Sequence, residues 1–177
     1  NNVRLPGNLY DQVRIAYAVP RKIALITVCD GNKMNMFPTD LHGPFGKKFY
    51  ISSLRKGGKA NLQVEQTRKL ILSFMPVNEY RAVYALGKNH MKDMKDFDEF
   101  SILNEPSAIL KLPIPSAALH YKELELIDSF DAGIHRIHFY KNVHNEKITN
   151  GLTLAHIHQY YAQWRIDHKL PVNMRLR

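Results

Sequence analysis

The most informative segment of the sequence is IALITVCDGNKMNMFPT, residues 23–39. Its first seven residues form a continuous apolar and β-branched run, which is the pattern of a strand buried on both faces. Asp30-Gly31-Asn32 then predicts a tight turn. Residues 34–39 predict a further extended segment, which Pro38 interrupts. The segment therefore indicates a β-rich fold.

Strand patterns continue through the rest of the chain. In residues 69–75, Leu70, Leu72 and Phe74 alternate with other residues and share one face. Further strands are predicted at 13–19, 49–54, 117–127 and 134–144, the last two forming a long pair joined around 129–133. Residues 111–115 are predicted to be extended because each proline biases its predecessor away from helix.

Helices are predicted to be short and to lie between these strands. One runs from residue 60 to about 67, and a second runs from a cap at Asn78 to Leu86, with Gly87 beyond its end. A third, about 152–168, carries an apolar face formed by Leu154, Ile157, Tyr161 and Trp164. Loops are predicted around Gly43, Pro44 and Gly46, and an exposed loop or irregular helix is predicted over residues 88–100.

This count of six or seven strands favours a mainly β protein with a closed or nearly closed barrel. The length of 177 residues suits a single domain, with a core at about 13–150. Lys and Arg number 25 against 16 Asp and Glu, giving a net charge of +9. That charge favours an anionic partner such as nucleic acid, a membrane surface or a phosphorylated small molecule.

Cysteine content and hydropathy exclude several classes of protein. Cys29 is the single cysteine, so an internal disulfide framework and a cysteine-based zinc finger are excluded. Its apolar neighbours predict a buried, inert thiol. No run approaches the ~18 apolar residues of a membrane span, and no signal-peptide pattern is present. We therefore expect a cytoplasmic protein without a membrane partner.

The order of these parts resembles the flavin reductase-like family, the FMN-binding split barrels. The likeness covers roughly residues 17–143 and lies in the order and spacing of parts. In the first half it rests on residues 23–29, the turn after them, residues 35–39, the Pro44 loop and residues 52–56. In the second half it rests on Asp96-Phe97, Pro113-Ile114-Pro115, residues 119–127 and Gly133-Ile134-His135.

Two positions depart from the family pattern. Ile134 stands where the family usually has Asp beside the histidine. Residues 40–43, Asp-Leu-His-Gly, stand where the family often has small hydroxyl residues. The resemblance implies a Greek-key split barrel that binds FMN, with FAD as the alternative flavin, and takes NAD(P)H as co-substrate. It also implies a homodimer with the flavin at the interface, to which residues 13–19 and the helix around Trp164 could contribute.

A cationic turn is the candidate phosphate site. Residues 52–60, SSLRKGGKA, combine two hydroxyls, three cations, flexible backbone and the amino end of a predicted helix, which together suit a phosphate. A solvated basic turn is the alternative interpretation. The resemblance favours the phosphate site, with the residues Ser52, Ser53, Leu54, Arg55, Lys56, Lys59 and Ala60.

The flavin ring is predicted to lie on the segment that ends the second strand. Its residues are Asn35, Met36, Phe37, Pro38, Thr39 and Asp40. A kinked strand end is the alternative. The resemblance gives His135 an accessory role on the substrate side, where it positions substrate or donates a hydrogen bond. Hydride transfer from a nicotinamide to flavin N5 needs alignment and no protein nucleophile.

Metal binding, ligand binding without catalysis and nucleic-acid binding are the alternatives to a flavin reductase. His135 and His138 would lie on opposite strand faces, and His156 and His158 diverge on a helix, so no metal site is predicted. A non-catalytic barrel that binds flavin or another phosphorylated ligand, similar to the pyridoxamine-phosphate-oxidase-like proteins, remains an alternative. Nucleic-acid binding is less favoured because the basic residues are spread along the chain.

Overall fold

A computed structural model describes residues 19–100, 102–157 and 159–170 of the chain. The described residues fall into two compact units. The first comprises residues 23–154, and the second comprises 19–22 together with 155–170. Residues 13–18 of the strand predicted at 13–19 lie outside the described residues. No helix in the described part of the chain is long and apolar enough to cross a membrane.

Strands dominate the first unit, whereas the second holds two short strands and a longer helix. In chain order the strands are β1 (Arg21–Lys22), β2 (Ala24–Asp30), β3 (Lys33–Thr39), β4 (His42–Phe45), β5 (Phe49–Arg55), β6 (Lys69–Phe74), β7 (Lys95–Asp96), β8 (Leu103–Pro106), β9 (Pro113–Pro115), β10 (His120–Ala132), β11 (His135–Lys147) and β12 (Ala155–His156). The α-helices are α1 (Lys59–Thr67), α2 (Tyr80–Ala85) and α3 (Gln159–Asp167). Three 3-10 helices cover Val77–Glu79, Leu86–Met91 and Phe97–Glu99.

The first unit is built on one eight-stranded antiparallel sheet. Its strand order is β4-β5-β11-β10-β6-β2-β3-β7. Two further pairs stand apart from it: β8 with β9, and, in the second unit, β1 with β12. Strands β2 and β3 form a hairpin in which Asp30 pairs with Lys33 across Gly31 and Asn32. Gly31 has a φ of +59°, which a two-residue turn of this kind needs at its first position.

The short connection between β3 and β4 curls the sheet. These strands lie six positions apart in the strand order, which in a flat sheet is about 29 Å. Asp40 and Leu41 alone connect them, and three Cα–Cα steps span at most about 11 Å. The sheet therefore bends on itself. The His42 ring of β4 accordingly lies 5.7 Å from the Phe74 ring of β6, measured between ring centroids.

Both faces of the central strands are buried. The concave face holds one apolar cluster, to which α1 contributes Ala60 and Val64. The convex face of β2, β3 and β6 holds a second cluster, covered by Val83 of α2 and by Ile114 of β9. Residues 24–28 are fully buried, as the continuous apolar run predicts. Leu70, Leu72 and Phe74 lie together in the concave cluster, as their alternation predicts.

A buried carboxylate holds the loop that follows β8. Glu123 of β10 is 0% exposed. It accepts hydrogen bonds from the Ser107 hydroxyl (2.8 Å), the Ile109 amide (2.9 Å) and the Leu110 amide. A buried carboxylate needs such donors to offset the loss of hydration. Glu123 therefore fixes the path of residues 107–110.

Several predicted elements are confirmed, and the remainder need correction. The strands at 23–29, 34–39, 49–54 and 69–75 and the long pair of β10 and β11 are present, as is α1. The barrel is not closed, because the edge strands β4 and β7 do not pair with each other. Gly43 and Pro44 lie in edge strand β4 and not in a loop; an edge strand tolerates proline because its outer N–H groups have no partner to lose.

Three boundaries differ from the prediction. Asn78 lies in a 3-10 helix and does not cap α2 through its side chain. Lys111 has a φ of +59°, so the predicted extended segment at 111–115 begins after it. Helix α3 begins at Gln159, so Leu154 and Ile157 precede it. Leu154 is instead buried in the convex cluster, which explains its apolar character without a helix.

Candidate functional site

The predicted phosphate turn joins the end of β5 to the start of α1. Gly57 has a φ of +73°, which favours glycine, and Gly58 precedes the first helical residue, Lys59. The Gly58 amide donates to the Arg55 carbonyl at 3.2 Å, which tightens the turn. The next amides, of Lys59 and Ala60, belong to the first helical turn, whose N–H groups have no acceptor within the helix. The amides of Lys59 and Ala60 are therefore available as hydrogen-bond donors to a ligand.

The three cations of the turn are not equivalent. The Lys56 ammonium lies 2.7 Å from an Asp131 carboxylate oxygen, and the Lys59 ammonium lies 2.7 Å from an Asp93 oxygen. Arg55 is exposed and, among the described residues, has no carboxylate within ion-pair distance. An anion that binds the Arg55 guanidinium therefore need not displace a carboxylate of the described residues, whereas an anion that binds Lys56 or Lys59 competes with one.

A hydrogen bond joins the turn to the predicted substrate-side histidine. The Ser53 hydroxyl and His135 Nδ1 are 2.9 Å apart although 82 positions separate them in the chain. Antiparallel pairing of β5 with β11 places Arg55 directly opposite His135 and Ser53 opposite Ile137. Ser53, Arg55 and His135 therefore share the convex face. The bond to Nδ1 leaves Nε2 for another partner.

The other residues predicted for the phosphate are buried. The Ser52 hydroxyl is hydrogen-bonded to the Tyr140 hydroxyl at 2.8 Å inside the concave face. Leu54 and Ala60 belong to the concave apolar cluster. From the predicted set, the side chains left to meet a ligand are those of Ser53, Arg55, Lys56 and Lys59. Ser52, Leu54 and Ala60 have only backbone atoms to offer.

In the segment predicted to border the flavin ring, residues 35–37 are buried. Met36 and Phe37 are 0% exposed, and Asn35 is 2% exposed. The Asn35 amide donates to Gln63 Oε1 at 2.8 Å and to the Asn89 carbonyl at 2.9 Å. These three side chains are committed to packing and cannot line an open slot in this structure. The physical reason is the alternation of β3, which directs Phe37 into the concave cluster and Met36 into the convex cluster, while buried hydrogen bonds hold Asn35.

The far end of the ring segment meets the phosphate turn. Pro38 and Asp40 are half-buried, and the Thr39 hydroxyl accepts a hydrogen bond from the Leu41 amide at 3.3 Å. The Leu41 carbonyl then accepts the Ser53 amide at 2.8 Å. The connection between β3 and β4 therefore brings residues 38–40 beside Ser53. The structure thus brings together one half of each predicted set.

An exposed apolar surface adjoins these residues and was not predicted. We call it the aromatic face; its residues are Phe45, Phe49, Ile51, Phe130, Ile137 and Phe139. The Phe139 ring lies 5.7 Å from both the Phe45 and the Phe130 rings, between centroids. Phe45, Phe49 and Phe130 are 55%, 44% and 51% exposed. The alternation of Ile137 and Phe139 is visible in the sequence, but only the strand pairing shows that their face is open.

Two other side chains bear on the chemistry of the site. Burial raises the pKa of the Cys29 thiol to about 12, which favours its unreactive protonated form; the residue is half-buried, whereas a buried thiol is predicted from the sequence. His138 lies on the opposite face of β11 from His135, as predicted, and is 0% exposed. Within the part of the chain that the structure describes, no group of three or more His, Cys, Asp or Glu side chains could hold a metal ion.

Comparisons with known proteins identify the fold. Neither a protein-family model nor a curated protein matches the sequence. The solved structures similar to this chain include those of three proteins. An FMN-binding protein from Thermus thermophilus, crystallised with p-hydroxybenzaldehyde, has a TM-score of 0.69 at 18% identity, with 90% of each chain covered. BorF, the flavin reductase component of a bacterial two-component tryptophan halogenase, has a TM-score of 0.70 at 13% identity, covering 82% of this chain and 91% of its own.

The third is the NADH:FAD oxidoreductase SgcE6 of Streptomyces globisporus, with a TM-score of 0.68 at 11% identity, covering 88% of this chain and 92% of its own. The chain therefore has the fold of the FMN-binding split barrels. The fold expected from the resemblance is confirmed.

We predict that His138 makes the fold sensitive to acid. Both imidazole nitrogens are buried and have no hydrogen-bond partner among the described residues, and burial lowers the pKa of His138 from 6.5 to about 4. The unfolded chain takes up a proton as the pH falls below 6.5, whereas the folded chain does not until about 4. About 3 kcal/mol of folding stability should therefore be lost as the pH falls from 7 to 4.

Urea unfolding of His138→Leu and of the native sequence between pH 7 and 4 tests this. The variant should show a flatter pH profile than the native sequence. His90→Leu, which alters an exposed histidine, is the matched control and should keep the native slope. Parallel profiles for the native sequence and His138→Leu would contradict the prediction.

Proposed function

We propose that this chain binds FMN and reduces it with NAD(P)H. The observation that carries the proposal is the hydrogen bond between Ser53 and His135, because it joins the two regions that such a reaction needs. The cationic turn lies on one side of this bond and the aromatic face on the other. The similar structures include flavin reductases and an NADH:FAD oxidoreductase, which supports the reaction type.

The cationic turn has the donors that a phosphate monoester requires. Arg55 offers a planar guanidinium that binds two phosphate oxygens at once. The first amides of α1 add uncharged donors at the positive end of the helix dipole. Lys56 and Lys59 contribute less, because binding there competes with Asp131 and Asp93. Arg55 is therefore the principal cation for the phosphate.

His135 serves as a positioning group for the nicotinamide or the final acceptor. A bound flavin supplies the centre that accepts and releases hydride. Ser53 fixes the imidazole through Nδ1, so Nε2 can face a ligand. On the convex face the neighbours of the imidazole are the polar Ser53 and Arg55 of β5 and the apolar Ile137 of β11, so apolar side chains limit access of water on one side of it only. Residues 38–40, beside Ser53, are the remaining candidates to border the flavin ring.

The aromatic face supports association of two copies of this chain. Three half-exposed phenylalanines of about 200 Å² each give about 300 Å² of apolar surface, and Ile51, Ile137 and Phe139 extend it. An apolar patch of this size is comparable to the largest patch on a typical monomer, which is often functional. It borders Ser53, Arg55 and His135, so a second copy seated on it by a two-fold axis would enclose the flavin site.

A second candidate function is flavin binding without turnover. It is supported by the similarity to a protein described only as FMN-binding. The two functions share the phosphate site and differ in whether NAD(P)H reduces the bound flavin. Flavin binding and nicotinamide turnover therefore need separate tests.

We predict that Arg55→Ala weakens FMN binding about tenfold, because a charge-assisted contact to the phosphate is lost. Riboflavin, which has no phosphate, should bind the variant as it binds the native protein. Titration followed by flavin fluorescence measures both affinities. Arg81→Ala is the control, since Arg81 is an exposed arginine of α2 whose guanidinium lies over the Tyr80 ring. Equal losses for FMN and riboflavin would remove Arg55 from the phosphate site.

We predict that His135→Ala lowers NAD(P)H oxidation by the FMN-loaded protein about tenfold while FMN affinity changes less than about twofold. The reason is that the imidazole aligns the second ligand and does not hold the phosphate. Stopped-flow reduction under anaerobic conditions gives the rate. An unchanged reduction rate in His135→Ala would contradict the role given to His135. Native protein that binds FMN but is not reduced by NAD(P)H would support the binding-only function.

We predict that Phe130→Asp shifts the protein from dimer to monomer, since a carboxylate on the aromatic face loses its hydration when a second copy is seated. Sedimentation velocity at several protein concentrations measures the change. Leu62→Asp is the control, because Leu62 is 54% exposed on α1, away from this face. A native protein that is monomeric at all concentrations, or a Phe130→Asp protein that remains dimeric, contradicts the assignment.

A further inference from the structure

Three buried amide side chains form a network beside the cationic turn. Asn35 of β3, Gln63 of α1 and Asn89 are 2%, 6% and 8% exposed, and we call them the amide network. Asn35 donates to Gln63 Oε1 at 2.8 Å, and Gln63 Nε2 donates to the Lys92 carbonyl at 2.9 Å. Asn89 Nδ2 donates to the Met36 carbonyl at 3.1 Å. The network thus joins β3, α1 and residues 89–92.

Residues 89–93 lie directly against the start of α1. A methyl group added to Gly58 would lie 3.6 Å from the His90 carbonyl oxygen and 3.7 Å from the Met91 sulfur. The Lys59 ammonium meets Asp93 at 2.7 Å. Residues 89–93 therefore form one wall of the turn, and their position sets the space around the first amides of α1.

The buried hydrogen bonds of the amide network attach residues 89–93 to β3 and α1. Gln63 uses both ends of its amide, one toward Asn35 and one toward Lys92. Asn35 also donates to the Asn89 carbonyl at 2.9 Å. By contrast, the Lys59–Asp93 pair is exposed, with Asp93 80% accessible, and exposed pairs hold geometry weakly. Buried, mutually satisfied amides define a single arrangement because each alternative leaves a polar group without a partner.

We propose that Gln63 is a positioning residue for the phosphate end of the flavin site, acting through residues 89–93. The proposal rests on the proposed function, since it concerns the same site. Gln63 points away from the ligand and contributes through the wall it holds. Its loss should therefore weaken the binding of the phosphate more than the binding of the flavin ring.

The test compares FMN with riboflavin in Gln63→Ala. The expected result is an FMN dissociation constant raised about tenfold, with that of riboflavin changed less than about twofold. Gln66→Ala is the matched control on the same helix, where an exposed amide donates to Asp30 at 2.7 Å. The control should leave both constants unchanged. Equal changes for both flavins, or none, overturn the proposal.

Two further measurements separate this proposal from the proposed function. Gln63→Glu keeps an acceptor for Asn35 and loses the donor to Lys92, so it should repeat the effect if Gln63→Ala does not fold. In the Gln63 variants without flavin, amide hydrogen exchange should be faster than in the native protein at residues 89–93 and at the first amides of α1. Faster exchange with an unchanged FMN-to-riboflavin affinity ratio assigns Gln63 a structural role only. Native protein that shows the ordered wall and binds neither flavin overturns the proposed function and this proposal with it.

Discussion

The two-residue connection between β3 and β4 is the constraint on which the rest of the structure depends. Asp40 and Leu41 join strands that a flat sheet would hold about 29 Å apart. The resulting curl creates the concave face, places α1 over it, and brings the Leu41 carbonyl to the Ser53 amide. The candidate site therefore depends on this curl, because the bend places Leu41, next in the chain to residues 38–40, beside Ser53.

Much of this fold could be predicted from the sequence because its signals are local. The uninterrupted run of residues 23–29 indicates burial on both faces, and Gly31 gives the turn its positive φ. The alternation of Leu70, Leu72 and Phe74 likewise marks one face of β6. What was missed depends on non-local pairing: β4 is a strand because β5 provides its partner, and Leu154 is apolar because it enters the convex cluster.

The candidate site was predicted in part, and its errors have a common cause. Residues 35–37 and 52–54 were assigned to a ligand as continuous segments, whereas a strand sends successive side chains to opposite faces. Ser53 and Arg55 therefore face the site while Ser52 and Leu54 face the core. Asn35 is predicted to border the flavin ring from the family resemblance. The structure instead buries it, with Gln63 and the Asn89 carbonyl as its partners, and no local pattern indicates these partners.

Strand β4 ends the sheet after four residues, and one of them is Pro44. A proline cannot donate a backbone hydrogen bond, so this border offers few donors to an incoming strand. Growth of the sheet by lateral addition, the route to fibrillar aggregates, is thereby discouraged at this border. Contact between molecules is left to the broad surface of the sheet, where side chains and not backbone amides govern what is recognised.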